Sequence, residues 1–311
     1  MTIQSGAVKL RQRWYGYEGA ASEIIFMGIV FIWGITFVLT RDALQVIGPF
    51  AYNTMRMMIG GLTMAILAGS HWKTVNRAYL WPVLLVGTVL FLSYALQTYG
   101  QQFTTASKAG FLTGTNLVYV PIFSALLLRR APGRLAILGV VLAFAGLAPV
   151  SIEGKLTDLA LAQGDIFVIL SGVGWALYII VMARYAPQFN IMLFAALHVL
   201  VAGFMCGLCW LASEPLYLPL DSSAVWLGVL TTGFFILGLG TSIQGWVMRW
   251  ASPTHVGLIA ALEPLFAGLA GWWVGETITQ RVLLGGGLII LGVLASELGE
   301  RLKKPGMESR L

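Results

Sequence analysis

Along most of its length the chain alternates apolar runs of about twenty residues with short polar connections. A helix needs a run of that length to cross the hydrocarbon core of a bilayer. Ten such runs can be placed: 24–40, 49–69, 81–99, 109–128, 135–151, 165–183, 190–212, 225–248, 254–276 and 282–298. Arg41–Asp42 closes the first and Arg129–Arg130 the fourth. The ninth stands apart, because Glu263 sits at its centre directly before Pro264. A carboxylate at the bilayer midplane costs about 3 kcal/mol on insertion scales. Proline lacks an N–H, so it frees a carbonyl one turn earlier and bends the helix. A charge and a kink inside one apolar run predict a polar site within the membrane.

The order of the runs repeats. A shift of 142 residues carries Glu23 onto Asp165, Trp33 onto Trp175 and Gly34 onto Ala176. A shift of 147 carries Gln97 onto Gln244, Gly110 onto Gly257, Arg134 onto Arg281 and Gly139 onto Gly286. Five crossings are an odd number, so the second copy inserts upside down, as in transporters whose site lies between inverted repeats. The expected fold class is therefore an all-α membrane protein, ten transmembrane helices as two inverted five-helix repeats. Its parts are an N-terminal segment 1–21, a first repeat 22–151, a linker loop 152–164, a second repeat 165–299 and a basic tail 300–311.

Composition agrees: 58% of residues are hydrophobic and 10% are charged, against roughly 25% charged in an ordinary soluble domain. Of the 19 basic residues, Arg41, Lys108, Lys155 and Arg281 fall at one set of helix ends, Arg56 falls inside a span, and 14 fall at the opposite set. Basic loops face the cytoplasm, so both termini are expected there, with the loop 153–163 outside and the chain in the inner membrane. The formal charge of +6 is thereby a matter of topology, and no nucleic-acid partner is expected. The apolar run after Lys9, Arg11 and Arg13 is too long for a signal peptide and lacks a clear cleavage site. Cys206 and Cys209 have the spacing of a redox or metal pair, but within an apolar run they read as small buried side chains.

At this level the chain resembles the drug/metabolite transporter superfamily, specifically its EamA-type bacterial transporters. The residues that carry the likeness are Trp33–Gly34, Pro49 with Arg56, KAGFLTGTNLVYVPIFSALLLRR (108–130), GDIFVILSGVGWALY (164–178) and LEPLFAGLAGWWVGE (262–276). They appear in that order over 24–298. The resemblance implies a ten-helix bundle that moves small metabolites or amino acids, often outward, with aromatic amino acids one such class. One departure concerns the prolines: a shift of 147 carries Leu117, not Pro121, onto Pro264, so the kinks of the two halves are expected to differ.

Candidate residues follow from polar or aromatic side chains at membrane depth, where such groups avoid lipid. Arg56 reads either as a clamp for a substrate carboxylate or as half of an internal pair, with Glu263 the obvious partner. Glu263 reads either as a coupling carboxylate or as a helix-pairing group; His198 reads either as a proton relay or as a packing histidine. Tyr94 with Gln97, Asn116 with Tyr119, and Trp175 with Tyr178 are each three apart, so each pair shares a helix face. With Trp33 and Gln244 they are expected to line one cavity. Pro264 and Pro121 are the expected hinges. Glu276 reads as a helix-end acid, and Trp272 and Trp273 as interface anchors. Spans five and ten are rich in small residues, including Gly285, Gly286 and Gly287, which places them at the periphery or in a homodimer contact.

The expected function is secondary transport of a small-molecule substrate, an amino acid or related zwitterion, through the lipid bilayer. The alternatives are a membrane-embedded sensor or assembly subunit of the same fold and, less well supported, an intramembrane enzyme. His71, His198 and His255 are scattered, with no HExxH pair, no GxSxG elbow and no phosphate loop. No cofactor and no metal are expected, and active transport would have to draw on a gradient.

Overall fold

The computed structural model describes residues 3–104, 106–129, 131–151, 163–263, 265–266 and 280–302. The expected linker (apart from its last residues), Pro264, Trp272, Trp273 and Glu276 lie outside the described residues, as do the side chains before residue 21 and that of Lys108. No strand occurs among the described residues. In chain order the helices are α1 (Ile3–Ala43), α2 (Pro49–Ala68), α3 (Leu80–Gln101), α4 (Ala106–Gly114), α5 (Asn116–Leu127), α6 (Arg134–Ser151) and α7 (Gln163–Tyr185). They continue with α8 (Ile191–Ser213), α9 (Ser223–Thr231), α10 (Thr241–Val247), α11 (Pro253–Ala260) and α12 (Gln280–Leu302). Five stretches among the described residues are long and apolar enough to span a bilayer: Ala21–Ala43, Arg77–Gln101, Gln163–Gln188, Ile191–Ser213 and Ser223–Val247. The apolar helices Leu112–Leu127, Arg134–Leu147 and Leu283–Gly299 are shorter. The second span carries Asn53 and Arg56.

Local chemistry sets the ends. Asn190, Ser222 and Ser252 cap α8, α9 and α11 through their side chains, satisfying N–H groups that an isolated helix end leaves open. Pro49 opens α2, and Gly69, with φ of +49°, closes it. The Glu214 carboxylate accepts from the N–H groups of Phe50 and Ala51, each at 2.8 Å. This is the favourable place for an anion on a helix. A Cβ at Gly48 would collide with that carboxylate.

Two spans differ from continuous helices. The fourth, expected over 109–128, is α4 and α5 meeting at Thr115, where the Thr115 N–H and hydroxyl both bond the Leu112 carbonyl, at 3.3 and 2.6 Å. The ninth is interrupted after α11. There the Ala261 N–H is shared between Gly257 and Leu258, and the Leu262 N–H turns back to Ile259. A shift of 147 carries Thr115 onto Leu262, so the two breaks coincide although the prolines do not. Pro121, inside α5, cannot donate to Leu117 and loosens the turn between it and the break. The eighth span, expected over 225–248, runs as α9, a π-helix (Thr232–Gly240) and α10. π-segments are rare and gather at functional places.

The packing obeys a two-fold relation between repeats. The second span packs on the seventh, the fourth on the ninth and the fifth on the tenth, each on its own counterpart. The third packs on the sixth as the eighth packs on the first. The small-residue faces of the fifth and tenth spans are used within one chain: a Cβ at Gly139 would lie 2.5 Å from the Gly292 carbonyl oxygen, and one at Gly292 2.5 Å from that of Gly139. Gly146 meets Gly285 in the same way. That glycine face is therefore not free for a second copy, while the outer faces present Ile137, Leu138, Leu284 and Leu291. Cys206 and Cys209 are free thiols, and Cys206 packs its sulfur 3.8 Å from that of Met57.

Candidate functional site

The centre of the bundle is built outward from Arg56. Its turn of α2 is fixed by the Glu214 cap at one end and by the π-helix beside it. A Cβ at Gly233 would lie 2.8 Å from the Arg56 carbonyl oxygen. Arg56 as a whole is 4% exposed. Nε and Nη2 donate to Asn53 Oδ1 at 3.0 and 2.6 Å, and Nη2 reaches Thr98 Oγ1 at 3.3 Å. Its Cζ lies over two rings, 4.7 Å from the centroid of Tyr52 and 4.2 Å from that of Tyr94. The expected ion pair with Glu263 is not what holds it: neutral oxygens and aromatic faces do. Stacking on a ring is a guanidinium preference that an ammonium would not reproduce.

From Tyr94 an aromatic chain runs into the second repeat. Trp175 meets Tyr94 edge-on at 4.6 Å, and Tyr178 meets Trp175 edge-on at 5.8 Å. The Tyr178 hydroxyl lies 3.1 Å from His198 Nε2, and His198 Nδ1 lies 2.6 Å from the Phe194 carbonyl oxygen. A carbonyl only accepts, so Nδ1 carries the hydrogen; Nε2 then accepts from Tyr178. Both nitrogens of this fully buried ring are used within the protein.

The remaining candidates take three kinds of place. Gln97 is buried and donates through Nε2 to Thr113 Oγ1 at 3.2 Å, one residue from the end of α4. Asn116, Tyr119 and Pro121 are half-buried on α5, with Tyr119 stacked on Phe123 at 6.3 Å. Gly172 admits the Thr115 hydroxyl, which would lie 2.7 Å from a Cβ there, so the break in the fourth span sits one turn from Trp175. Trp33 and Gln244 lie on the first and eighth spans, the repeat counterparts of the spans that carry Trp175 and Gln97. Gln244 is buried, and Trp33 meets Phe26 edge-on at 5.6 Å.

Two features of this centre are unfinished. The indole N–H groups of Trp33 and Trp175 are buried without an acceptor among the described residues, and these two residues are repeat mates. Glu263 is half-buried and has no hydrogen-bond or ion-pair partner among the described residues. It lies within electrostatic reach of Tyr94, as Arg56 does. Around Tyr94 the fold thus brings the Arg56 guanidinium over the ring and the Trp175 indole to its edge.

Tyr52, Asn53, Thr98 and Thr113 are absent from the sequence candidates. A signal existed for three of them. Tyr52, Asn53 and Arg56 share a helical face, as do Tyr94 and Thr98, by their spacing of three or four. The shift of 142 also carries Arg56 onto His198, so each repeat keeps one basic side chain at the same position along its helix.

An all-helical membrane bundle of two inverted repeats, with broken helices around a buried polar and aromatic centre, defines the class of a membrane transporter. The chain belongs to the EamA-like transporter family, whose model matches residues 21–152 and 162–297, one copy in each repeat. It is similar to an uncharacterized transporter of Archaeoglobus fulgidus, 28% identical over 91% of this chain and 89% of that one. It is also similar to the uncharacterized transporter YvbV of Bacillus subtilis, 24% identical over 88% and 90%. A third relative is the S-adenosylmethionine/S-adenosylhomocysteine transporter of Chlamydia muridarum, 25% identical over 88% and 91%. A solved crystal structure superposes with a TM-score of 0.75 at 19% identity, covering 92% of this chain and 99% of the other, a likeness of fold.

Proposed function

We propose that this transporter moves an amino acid or related zwitterion outward across the inner membrane, by alternating access around Tyr94 and Trp175. The observation that carries the reading is Arg56 over the ring of Tyr94 with the Trp175 indole at the same ring's edge, and Glu263, without a partner among the described residues, as the acidic side chain nearby. A zwitterion matches that field, with its carboxylate toward Arg56 and its ammonium toward Glu263. The open indole N–H of Trp175 supplies a donor for the carboxylate. The aromatic edges of Tyr94, Trp175 and Tyr178 offer a surface for an apolar or aromatic side group. A phosphate ester is disfavoured, since a dianion calls for several basic partners and Arg56 is the deep one. The relative named for S-adenosylmethionine and S-adenosylhomocysteine supports the reading, because both compounds carry an amino-acid head group.

Glu263 is the coupling residue in this proposal, and the breaks near Pro121 and Pro264 are the hinges. Both termini lie in the cytoplasm, following the basic residues. The test is counterflow in proteoliposomes with a panel of amino acids, S-adenosylmethionine, a nucleotide sugar and a phosphate ester. Uptake of at least one zwitterion, competed by its relatives, is expected. Flux of the nucleotide sugar or phosphate ester with none for the zwitterions would overturn the proposal.

A further inference from the structure

We infer that Glu23, His255 and Glu297 form a site for a divalent transition-metal ion, where the first, ninth and tenth spans meet. His255 is 1% exposed, and its Nε2 faces Glu297 Oε2 at 3.1 Å and Glu23 Oε1 at 3.6 Å. One donor atom from each residue lies within 4.8 Å of the other two. Around a tetrahedral zinc, with bonds of about 2.0–2.2 Å, neighbouring donors stand about 3.4 Å apart. The two measured separations bracket that value. The second ring nitrogen, Nδ1, lies 3.1 Å from Ser296 Oγ. Such a contact holds a ligating imidazole in one tautomer with its other nitrogen aimed at the metal.

Both carboxylates stand within ion-pair distance of the ring, but an ion pair leaves one of them without a short hydrogen bond. A protonated Nε2 has one hydrogen to donate, and Glu297 is within hydrogen-bond range of it. Glu23 at 3.6 Å is beyond that range, and it has no other partner among the described residues. A cation between the three donors serves both carboxylates at once. The carboxylate side chains keep 20% and 25% of their surface exposed, which leaves a path from that face of the bundle. One imidazole with two carboxylates suits Zn²⁺, Mn²⁺ or Co²⁺ better than a thiophilic ion or an all-oxygen Ca²⁺ site. Glu23 belongs to the first repeat and the other two ligands to the second, so the ion ties the repeats together at this face. The site is remote from Tyr94 in role: it selects no substrate.

The test uses the whole chain in detergent, stripped with EDTA and titrated with Zn²⁺ by calorimetry and with Co²⁺ by visible absorption. Saturable binding of one ion per chain is expected, with a rise in melting temperature on adding Zn²⁺. His255→Ala should abolish it, and Ser296→Ala should weaken it about 10-fold, as loss of an orienting partner does. Equal binding by the wild type and His255→Ala, or no Zn²⁺ effect on either, would leave an ion pair only and overturn the inference. If His255→Ala does not fold, Glu23→Gln decides, because Glu23 has no other hydrogen bond or ion pair among the described residues. Unchanged Zn²⁺ affinity in that variant sinks the site.

Discussion

An indole N–H shut away without an acceptor costs about 1–3 kcal/mol, and Trp175 bears that cost at the centre of the aromatic chain. Trp175→Phe keeps most of the ring and removes the donor. The melting temperature should hold or rise, while KM rises about 10- to 100-fold, the worth of a hydrogen bond to a charged group. An unchanged KM would mean that the donor never meets the substrate. Glu263→Gln keeps the size and loses the titratable group. Gradient-driven transport should fall sharply while exchange at equal pH survives; full uphill transport would remove Glu263 from coupling. Because Arg56 is held by Asn53, Thr98 and two rings, Glu263→Gln should fold well, and adding Arg56→Met should not rescue anything. Arg56, Tyr94, Trp175 and Glu263 were legible in the sequence because charge and large aromatics stand out in an apolar run. Asn53 and Thr98 were not, since small polar side chains are common helix glue. The Glu23–His255–Glu297 cluster had no local signal, its members lying at opposite ends of the chain.

Among the described residues, the spans were legible nearly to their ends, the second half of the ninth lying outside them, and their interiors were not. The break in the ninth span falls at Ala261–Leu262, ahead of Pro264, which lies outside the described residues. The break at Thr115 precedes its proline by more than a turn, and nothing in a run of apolar residues marks the π-helix at Thr232–Gly240. Where the two broken spans touch, a Cβ at Gly257 would lie 3.8 Å from that of Val120, close to the spacing in a disulfide. The double variant Val120→Cys with Gly257→Cys, made with Cys206→Ala and Cys209→Ala, should transport when reduced and stop when oxidised. Transport by the oxidised form would show that the fourth and ninth spans do not part. The Glu214 cap sets the second span in place. Glu214→Ala removes two charge-assisted bonds, a loss of about 2 kcal/mol or more, and should lower the melting temperature and slow transport, since Arg56 rides on that helix.

For the whole molecule, two shifts of 142 and 147 residues made the inverted repeat legible before any contact was known, and the counterpart packing of spans follows from it. Orientation rests on the basic residues. A single cysteine at Lys155 should react with an impermeant thiol reagent in intact cells; reaction only after permeabilisation would invert the assignment. The contact of Gly139 with Gly292 bears on how such a molecule changes shape. Two backbones at that range have no compressible layer of side chains between them, and parting them would open a void lined by atoms that have lost their neighbours. They can roll about their common line, and little else. In the alternating-access cycle proposed above, the fifth and tenth spans act as an axle about which the other spans turn. Stalling the molecule then needs no blocked cavity: a side chain as small as alanine at Gly139 wedges the bearing, and should slow the turnover of a site some distance away while leaving its affinity for substrate as it was.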